Sequence, residues 1–135
     1  MKAACGANAM PPDVDADSAW WWEALAAGRL LLPCCDGCAT CFFPPMPTCP
    51  RCGASALSRV EASGRGAVYS WVVVHLALDP PFAGDVPYTV AAVDLEEGPR
   101  LFGRLRDDRP ASAGAPVRAV VDQVNGTAVV GFVLV

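Results

Sequence analysis

Hydrophobic and polar residues change rhythm three times along this 135-residue chain. In residues 17–30, DSAWWWEALAAGRL, Ala and Leu favour a helix, Asp17 or Ser18 can cap it, and Gly28 can end it. A helix of about three turns persists only if it docks on something. Trp20, Trp21 and Trp22 are consecutive and so span about 200° of the helix circumference. They cannot share one narrow stripe. Either two pack on the domain while one covers its edge, or one or more enter a partner protein, where Trp is a favoured anchor. From 31 to 58, Pro33, Pro44, Pro45, Pro47 and Pro50 exclude a regular helix or a central strand. That zone needs something besides a hydrophobic core to hold it.

The third zone reads as β. AVYSWVVVH (67–75), YTVAAVDL (88–95), LFGRLR (101–106), VRAVVDQV (117–124) and TAVVGFVLV (127–135) are five apolar runs separated by turns. Asn125-Gly126 joins the last two as a hairpin. Five antiparallel strands in so short a stretch suit a small closed barrel, with Gly103 and Gly131 fitting bulges or sharp coiling.

Composition and charge narrow the functional classes. No apolar run approaches the roughly 18 residues of a membrane span. Residues 1–16 read as a flexible tail without export, since Gly6 and Asn8 break the apolar stretch and Asp13 and Asp15 follow. A cytoplasmic protein is therefore expected, with reduced thiols. Seven cysteines, an odd number, also argue against a disulfide framework. Formal net charge is −4 and the basic residues are scattered. Phosphate neutralisation supplies most nucleic-acid affinity, so this balance argues against such a partner.

Six of the cysteines crowd into CCDGCATCFFPPMPTCPRC, residues 34–52. A ribbon needs two CxxC turns facing one ion. Cys49-Pro50-Arg51-Cys52 is one, and Gly53 after it permits a left-handed backbone. The other is Cys35–Cys38 or Cys38–Cys41. The latter would put Phe42 where a left-handed residue is needed, which favours Cys35, Cys38, Cys49 and Cys52. Cys5, Cys34 and Cys41 are then left over. Four thiolates leave no position for water, so one structural zinc per chain is expected, with no chemistry of its own. The same cage accepts iron, but nothing else suggests an electron carrier.

A Trp-bearing helix, a four-cysteine ribbon and a small barrel in this order resemble the domain of unknown function 35 family. These are acyl-CoA-associated proteins with a rubredoxin-like zinc ribbon and an OB-fold. The resemblance runs through WEALAAGRLLL (22–32), CDGCATCFFPPMPTCPRCGAS (35–55), SGRGAVYSWVVVH (63–75) and PYTVAAVDLEEGPRLFGRL (87–105). Met46 stands where the family usually has Arg. The resemblance implies a mainly β chain: tail 1–16, N-terminal helix 17–30, zinc ribbon 31–61 and five-stranded OB-fold barrel 62–135. The family's metal ligands carry over onto Cys35, Cys38, Cys49 and Cys52. It also implies a non-catalytic accessory subunit in lipid metabolism, supporting a thiolase-like enzyme (a thiolase or steroid side-chain-type aldolase) or a MaoC-like hydratase. Such a subunit helps shape the partner's acyl-CoA channel.

Three functions remain to be weighed. For the accessory subunit, Trp20, Trp21 and Trp22 are the expected partner interface. Arg65 and Arg100, in the turns SGRG and EEGPR, are the candidate acyl-CoA contacts, unless they pair with Glu61 or Glu97. His75 is the single histidine and reads as a surface or satisfied core residue, and Asp94, Glu96 and Glu97 as solvated turn carboxylates. The alternative is a nucleic-acid-binding ribbon and OB module, with Tyr69 and Trp71 on one face to stack bases. A self-sufficient hydrolase or oxidoreductase has least support, lacking a nucleotide fingerprint, a nucleophile elbow or an open metal site.

Overall fold

The computed structural model describes residues 12–135; Cys5 and most of the expected tail lie outside them. Helix α1 (Ala19–Ala26) is followed by β1 (Leu31–Cys35), β2 (Leu57–Glu61), β3 (Arg65–Val74), a 3-10 turn at Pro80–Phe82, β4 (Tyr88–Leu95), β5 (Arg100–Leu105), β6 (Pro116–Val124) and β7 (Thr127–Leu134). No helix among the described residues is long and apolar enough to cross a membrane.

The entry to α1 is fixed by Asp15 rather than by Asp17. The Asp15 carboxylate accepts the Ser18 N–H at 2.8 Å, and the Ser18 hydroxyl accepts the Asp15 N–H at 3.3 Å. This reciprocal pair needs a spacing of three residues, which Asp17 does not have. Ser18 occupies the N-cap position, but its side chain makes no cap bond there. At the far end Arg29 N–H reaches back to Ala24 C=O at 2.8 Å and Gly28 N–H to Leu25 C=O at 2.9 Å. Gly28 has φ +83°, a left-handed backbone that glycine adopts without a steric cost.

Trp21 and Leu25, four apart on one helical face, are both buried. The Trp21 ring stands nearly perpendicular to Trp22, centroids 4.7 Å apart, and lies 5.0 Å from Phe43. Trp20 is half-buried beneath the Arg59 guanidinium, 4.7 Å from its ring centroid. All three tryptophans therefore pack on this chain's own core. Trp21 Nε1 has no hydrogen-bond partner among the described residues. Burying a Trp this completely outweighs the roughly 1–3 kcal/mol cost of one unpaired donor.

The five expected strands form a closed barrel in the order β3-β4-β5-β7-β6. Every pairing is antiparallel except the short β5–β7 closure, Arg104 beside Gly131 and Leu105 beside Phe132. A bulge lies at Tyr69, where the β3–β4 register shifts between Val68 and Ser70, while the pairings across Gly103 and Gly131, expected to fit bulges or sharp coiling, run without a shift. Gly103 and Gly131 serve close approach: a Cβ on Gly103 would sit 2.6 Å from the Val130 carbonyl oxygen. The barrel interior, including Val68, Val93, Leu101, Val117 and Phe132, is continuous with Trp21, Leu25, Leu32 and Cys34. Helix, ribbon back and barrel thus share one core.

β1 and β2 pair antiparallel from Leu31↔Glu61 to Cys35↔Leu57. Pro33 is tolerated inside β1 because that strand has one full strand partner, while the Pro33 carbonyl accepts the Phe42 N–H at 3.0 Å. Against the expectation of free thiols, Cys34 and Cys41 form a disulfide. They face each other across an isolated β-bridge, with Cα atoms 3.9 Å apart.

Gly103→Ala is expected to destabilise the chain by about 1–3 kcal/mol through overpacking at the β5–β7 closure. Gly84→Ala, where nothing lies within 4 Å of an added Cβ, is expected to stay within about 0.5 kcal/mol of the parent. Urea denaturation followed by Trp fluorescence measures both.

Candidate metal centre

The ribbon offers its ligands from two knuckles built alike. In the first, Ala39 N–H donates to Cys35 C=O at 2.9 Å and Cys35 N–H to Thr40 C=O at 2.9 Å. In the second, Gly53 N–H donates to Cys49 C=O at 2.9 Å and Cys49 N–H to Ala54 C=O at 2.8 Å. Each knuckle ends on a left-handed residue, Ala39 at φ +62° and Gly53 at φ +78°. A Cys38–Cys41 knuckle would need Phe42 in such a left-handed position. Ala meets that requirement at a modest cost; Phe42 is buried elsewhere, packed beside Cys35 and Cys49.

The four sulfurs of Cys35, Cys38, Cys49 and Cys52 all lie within 4.8 Å of one another. Two of the distances are Cys35 to Cys52 at 3.5 Å and Cys38 to Cys49 at 3.7 Å. A tetrahedral ion with metal–sulfur bonds near 2.3 Å needs about 3.8 Å between sulfurs, so the set fits one ion. Backbone amides already point at the sulfurs. Gly37 N–H lies 3.3 Å from Cys35 Sγ, Cys38 N–H 3.5 Å from the same atom, and Arg51 N–H 3.4 Å from Cys49 Sγ. These donors stabilise thiolate charge without competing for the ion.

The thiols do not ionise alike. The Thr40 hydroxyl, 3.3 Å from Cys38 Sγ, together with the Thr40 backbone, lowers Cys38 to about 6. At Cys52 the Ala54 N–H is the largest single influence and lowers the value, but hydrogen bonding with Cys35 and Cys38 outweighs it and raises Cys52 to about 11. Crowded thiols resist a second negative charge, and a cation among them removes that resistance. Four cysteines from two closed knuckles make a metal site in which the protein can supply every ligand.

β1 separates this site from the main core. Successive residues on a strand face opposite ways. Cys35 faces the sulfur cluster with Met46, Ala54 and Leu57, while Cys34 faces the core with Trp21 and Leu32. The pairing of Cys35 with Thr40 makes Cys34 the neighbour of Cys41, so the disulfide clasps the base of the first knuckle. A signal for it was present in the sequence: the two cysteines stand one position outside each end of the hairpin that closes on Cys35 and Thr40.

The other expected site residues lie apart from the metal centre. The Arg65 Nε–H donates to both oxygens of Glu96 at 3.1 Å, not to Glu61 or Glu97. Arg100 donates to both oxygens of Asp94, at 2.6 and 3.1 Å, and stacks 3.5 Å from the Tyr69 ring centroid. Glu97 accepts the Ser63 N–H at 2.7 Å. Asp94, Glu96 and Glu97, expected as merely solvated, each have a protein partner, because strand pairing sets the turn 96–99 beside residues 63–65. His75 is exposed just beyond β3.

Residues 22–58 match the domain described as ChsH2, rubredoxin-like zinc ribbon domain, and residues 59–122 the ChsH2, C-terminal OB-fold domain. A chain in the solved structure "Ltp2-ChsH2(DUF35) aldolase" is 36% identical, with TM-score 0.82, over 92% of this chain and 98% of that one. The chain belongs to the DUF35 family. Family members include a DUF35 domain-containing scaffold protein of Pyrococcus furiosus, 35% identical over 69% of this chain and 67% of that protein. A probable enoyl-CoA hydratase alpha subunit of Thermomonospora curvata is 40% identical over 82% of this chain. The 3-oxo-4,17-pregnadiene-20-carboxyl-CoA hydratase alpha subunit of Mycobacterium tuberculosis is 37% identical over 82%. This chain spans only 34% and 35% of those two subunits. A DUF35 family protein of Sulfolobus solfataricus, 14% identical at TM-score 0.66, shares the fold.

Cys49→Ser is expected to abolish stoichiometric metal binding and to unfold the ribbon. Cys41→Ser removes the disulfide and keeps the metal. Metal content by mass spectrometry, with near-ultraviolet circular dichroism as a folding control, separates the two.

Proposed function

We propose that this chain is a non-catalytic accessory subunit of an acyl-CoA-processing complex, supporting a thiolase-like enzyme (a thiolase or steroid side-chain-type aldolase) or a MaoC-like hydratase. The observation that carries this is the near full-length match to the chain solved as part of an aldolase. The site chemistry agrees with it. Four thiolates saturate a tetrahedral ion and leave no position at which water or substrate is activated. The arginines of the barrel turns are held in ion pairs. The metal is zinc: soft thiolates in a closed tetrahedral cage suit it, and it holds the ribbon without redox chemistry. Native protein is expected to contain about one zinc per chain and to be colourless. Stoichiometric iron and a red colour would overturn this assignment.

Arg65 and Arg100 are the proposed acyl-CoA contacts, and Arg65 is the better placed. Its pair with Glu96 is more than half exposed on both sides, so exchange for a phosphate costs little. Arg100 is held between Asp94 and the Tyr69 ring. The nucleic-acid alternative draws on the exposed aromatics Tyr69, Trp71 and Phe102. The guanidinium on that face is already neutralised by Asp94, and the net charge of −4 opposes a polyanion.

The deciding experiment purifies a tagged chain from its native host and assays acyl-CoA turnover. The expected result is a co-purifying thiolase-like enzyme or hydratase, activity in the complex, and none in the isolated chain. Acyl-CoA turnover by this chain alone, or a stable monomer with no enzyme attached, would overturn the reading.

A further inference from the structure

The accessory reading requires an interface; of the three tryptophans expected to supply it, Trp21 is buried, and Trp20 and Trp22 are partly buried against the same core. Among the described residues the exposed apolar side chains collect elsewhere. Tyr69, Trp71, Val72, Val73, Leu76 and Phe102 lie on β3, its following loop and β5.

β3 is ten residues long and differently paired on its two sides. One edge pairs with β4 from Gly66 to Val74. The other meets β6 only at Arg65–Ala67. The last bonds on that side are Val68 N–H to Ala115 C=O at 2.9 Å and Gly114 N–H to Val68 C=O at 2.7 Å. At Tyr69 the β3–β4 register shifts, and no described strand covers that edge from Tyr69 to Val74. Side chains on both faces of this segment are exposed, Tyr69 by 58% and Val72 by 59%.

Natural edge strands are normally protected by charge, proline, a bulge or shortness. This one has a bulge at its start and neither charge nor proline beyond it. Residues 67–78, AVYSWVVVHLAL, contain no Pro, Lys, Arg, Asp or Glu. On the side of β3 away from that edge, an apolar groove of about 230 Å³ crosses the sheet face of β3, β4 and β5, lined by Tyr69, Trp71, Val72, Val90, Ala92 and Phe102. The one charge at its rim, Arg100, is compensated by Asp94. The occupant therefore needs free backbone donors and acceptors in an extended conformation and apolar, uncharged side chains.

We propose that the open edge of β3, residues 69–74, receives an extended apolar segment of the partner enzyme as an added strand. Six residues of strand offer about 20 Å of backbone for such pairing. The enzyme is preferred to a second copy of this chain because the near full-length structural match is part of an aldolase assembly. The inference rests on the accessory-subunit reading above.

Hydrogen exchange is measured on the tagged full chain alone and on the complex isolated from the native host, with the attached enzyme identified by mass spectrometry. An acyl-CoA enzyme on the tag, with those amides of 69–74 that do not bond to β4 slowed only in the complex, is the expected result. Val72→Lys is expected to weaken the complex by at least about tenfold, while Val121→Lys on β6 leaves it unchanged. An enzyme that binds while slowing amides elsewhere, or that binds Val72→Lys as tightly as the parent, overturns this proposal and leaves the accessory reading standing. Protection of 69–74 in the isolated chain at dimer mass makes a second copy the occupant and also overturns it. Absence of any enzyme overturns both.

Discussion

Cys34 and Cys35 are neighbours in the chain and face opposite ways, and the N-terminal half depends on that reversal. Cys34 closes the core shared by Trp21, Leu25 and the barrel. Cys35 begins the sulfur cluster. A single five-residue strand, β1, is therefore the common wall of two cores held by different forces. One is apolar burial. The other is metal–thiolate bonding, which needs little apolar area and suits a segment broken by proline. The disulfide to Cys41 ties the first knuckle to the same wall.

A cage closed by four protein ligands holds structure and leaves chemistry to other groups. The described side chains include a single histidine, exposed beyond β3, and the barrel-turn carboxylates are engaged in pairing. The tryptophan helix turns most of its aromatic area inward, with Trp21 4% exposed and Trp20 and Trp22 partly buried. The β3 arm does the opposite. It carries apolar residues outward on both faces because the barrel's closing strand, β6, begins too late to cover it.

Arg104 shows how that arm is supported. It is the buried charged residue of the barrel, paired with Asp85 at 3.1 Å and stacked 4.0 Å from the Tyr88 ring. Phe82 in the 3-10 turn lies 5.8 Å away. Breaking the pair would leave the nearly buried Arg104 guanidinium without its partner, although Asp85 itself is 39% exposed. The loop between β3 and β4 is thereby anchored at its second half, while Leu76 and Leu78 in its first half stay in solvent.

Local chemistry decided much of this in the sequence itself. CxxC spacing and the need for a left-handed residue after each knuckle selected Cys35, Cys38, Cys49 and Cys52, because both constraints act within five residues. The five strands followed from β-branched runs bounded by turn residues, and the Asn125-Gly126 turn adopts the positive φ angles its side chains allow. Tertiary structure alone decided the rest. The Cys34–Cys41 pairing depends on how the knuckle folds back on β1. The partners of Arg65 and Arg100 depend on strand register, and Gly103 on how closely β5 approaches β7. The fates of the tryptophans and of the β3 edge depend on which apolar surface the barrel covers. Composition records how much apolar surface a chain has, but only the packing of distant segments determines which part is left outside.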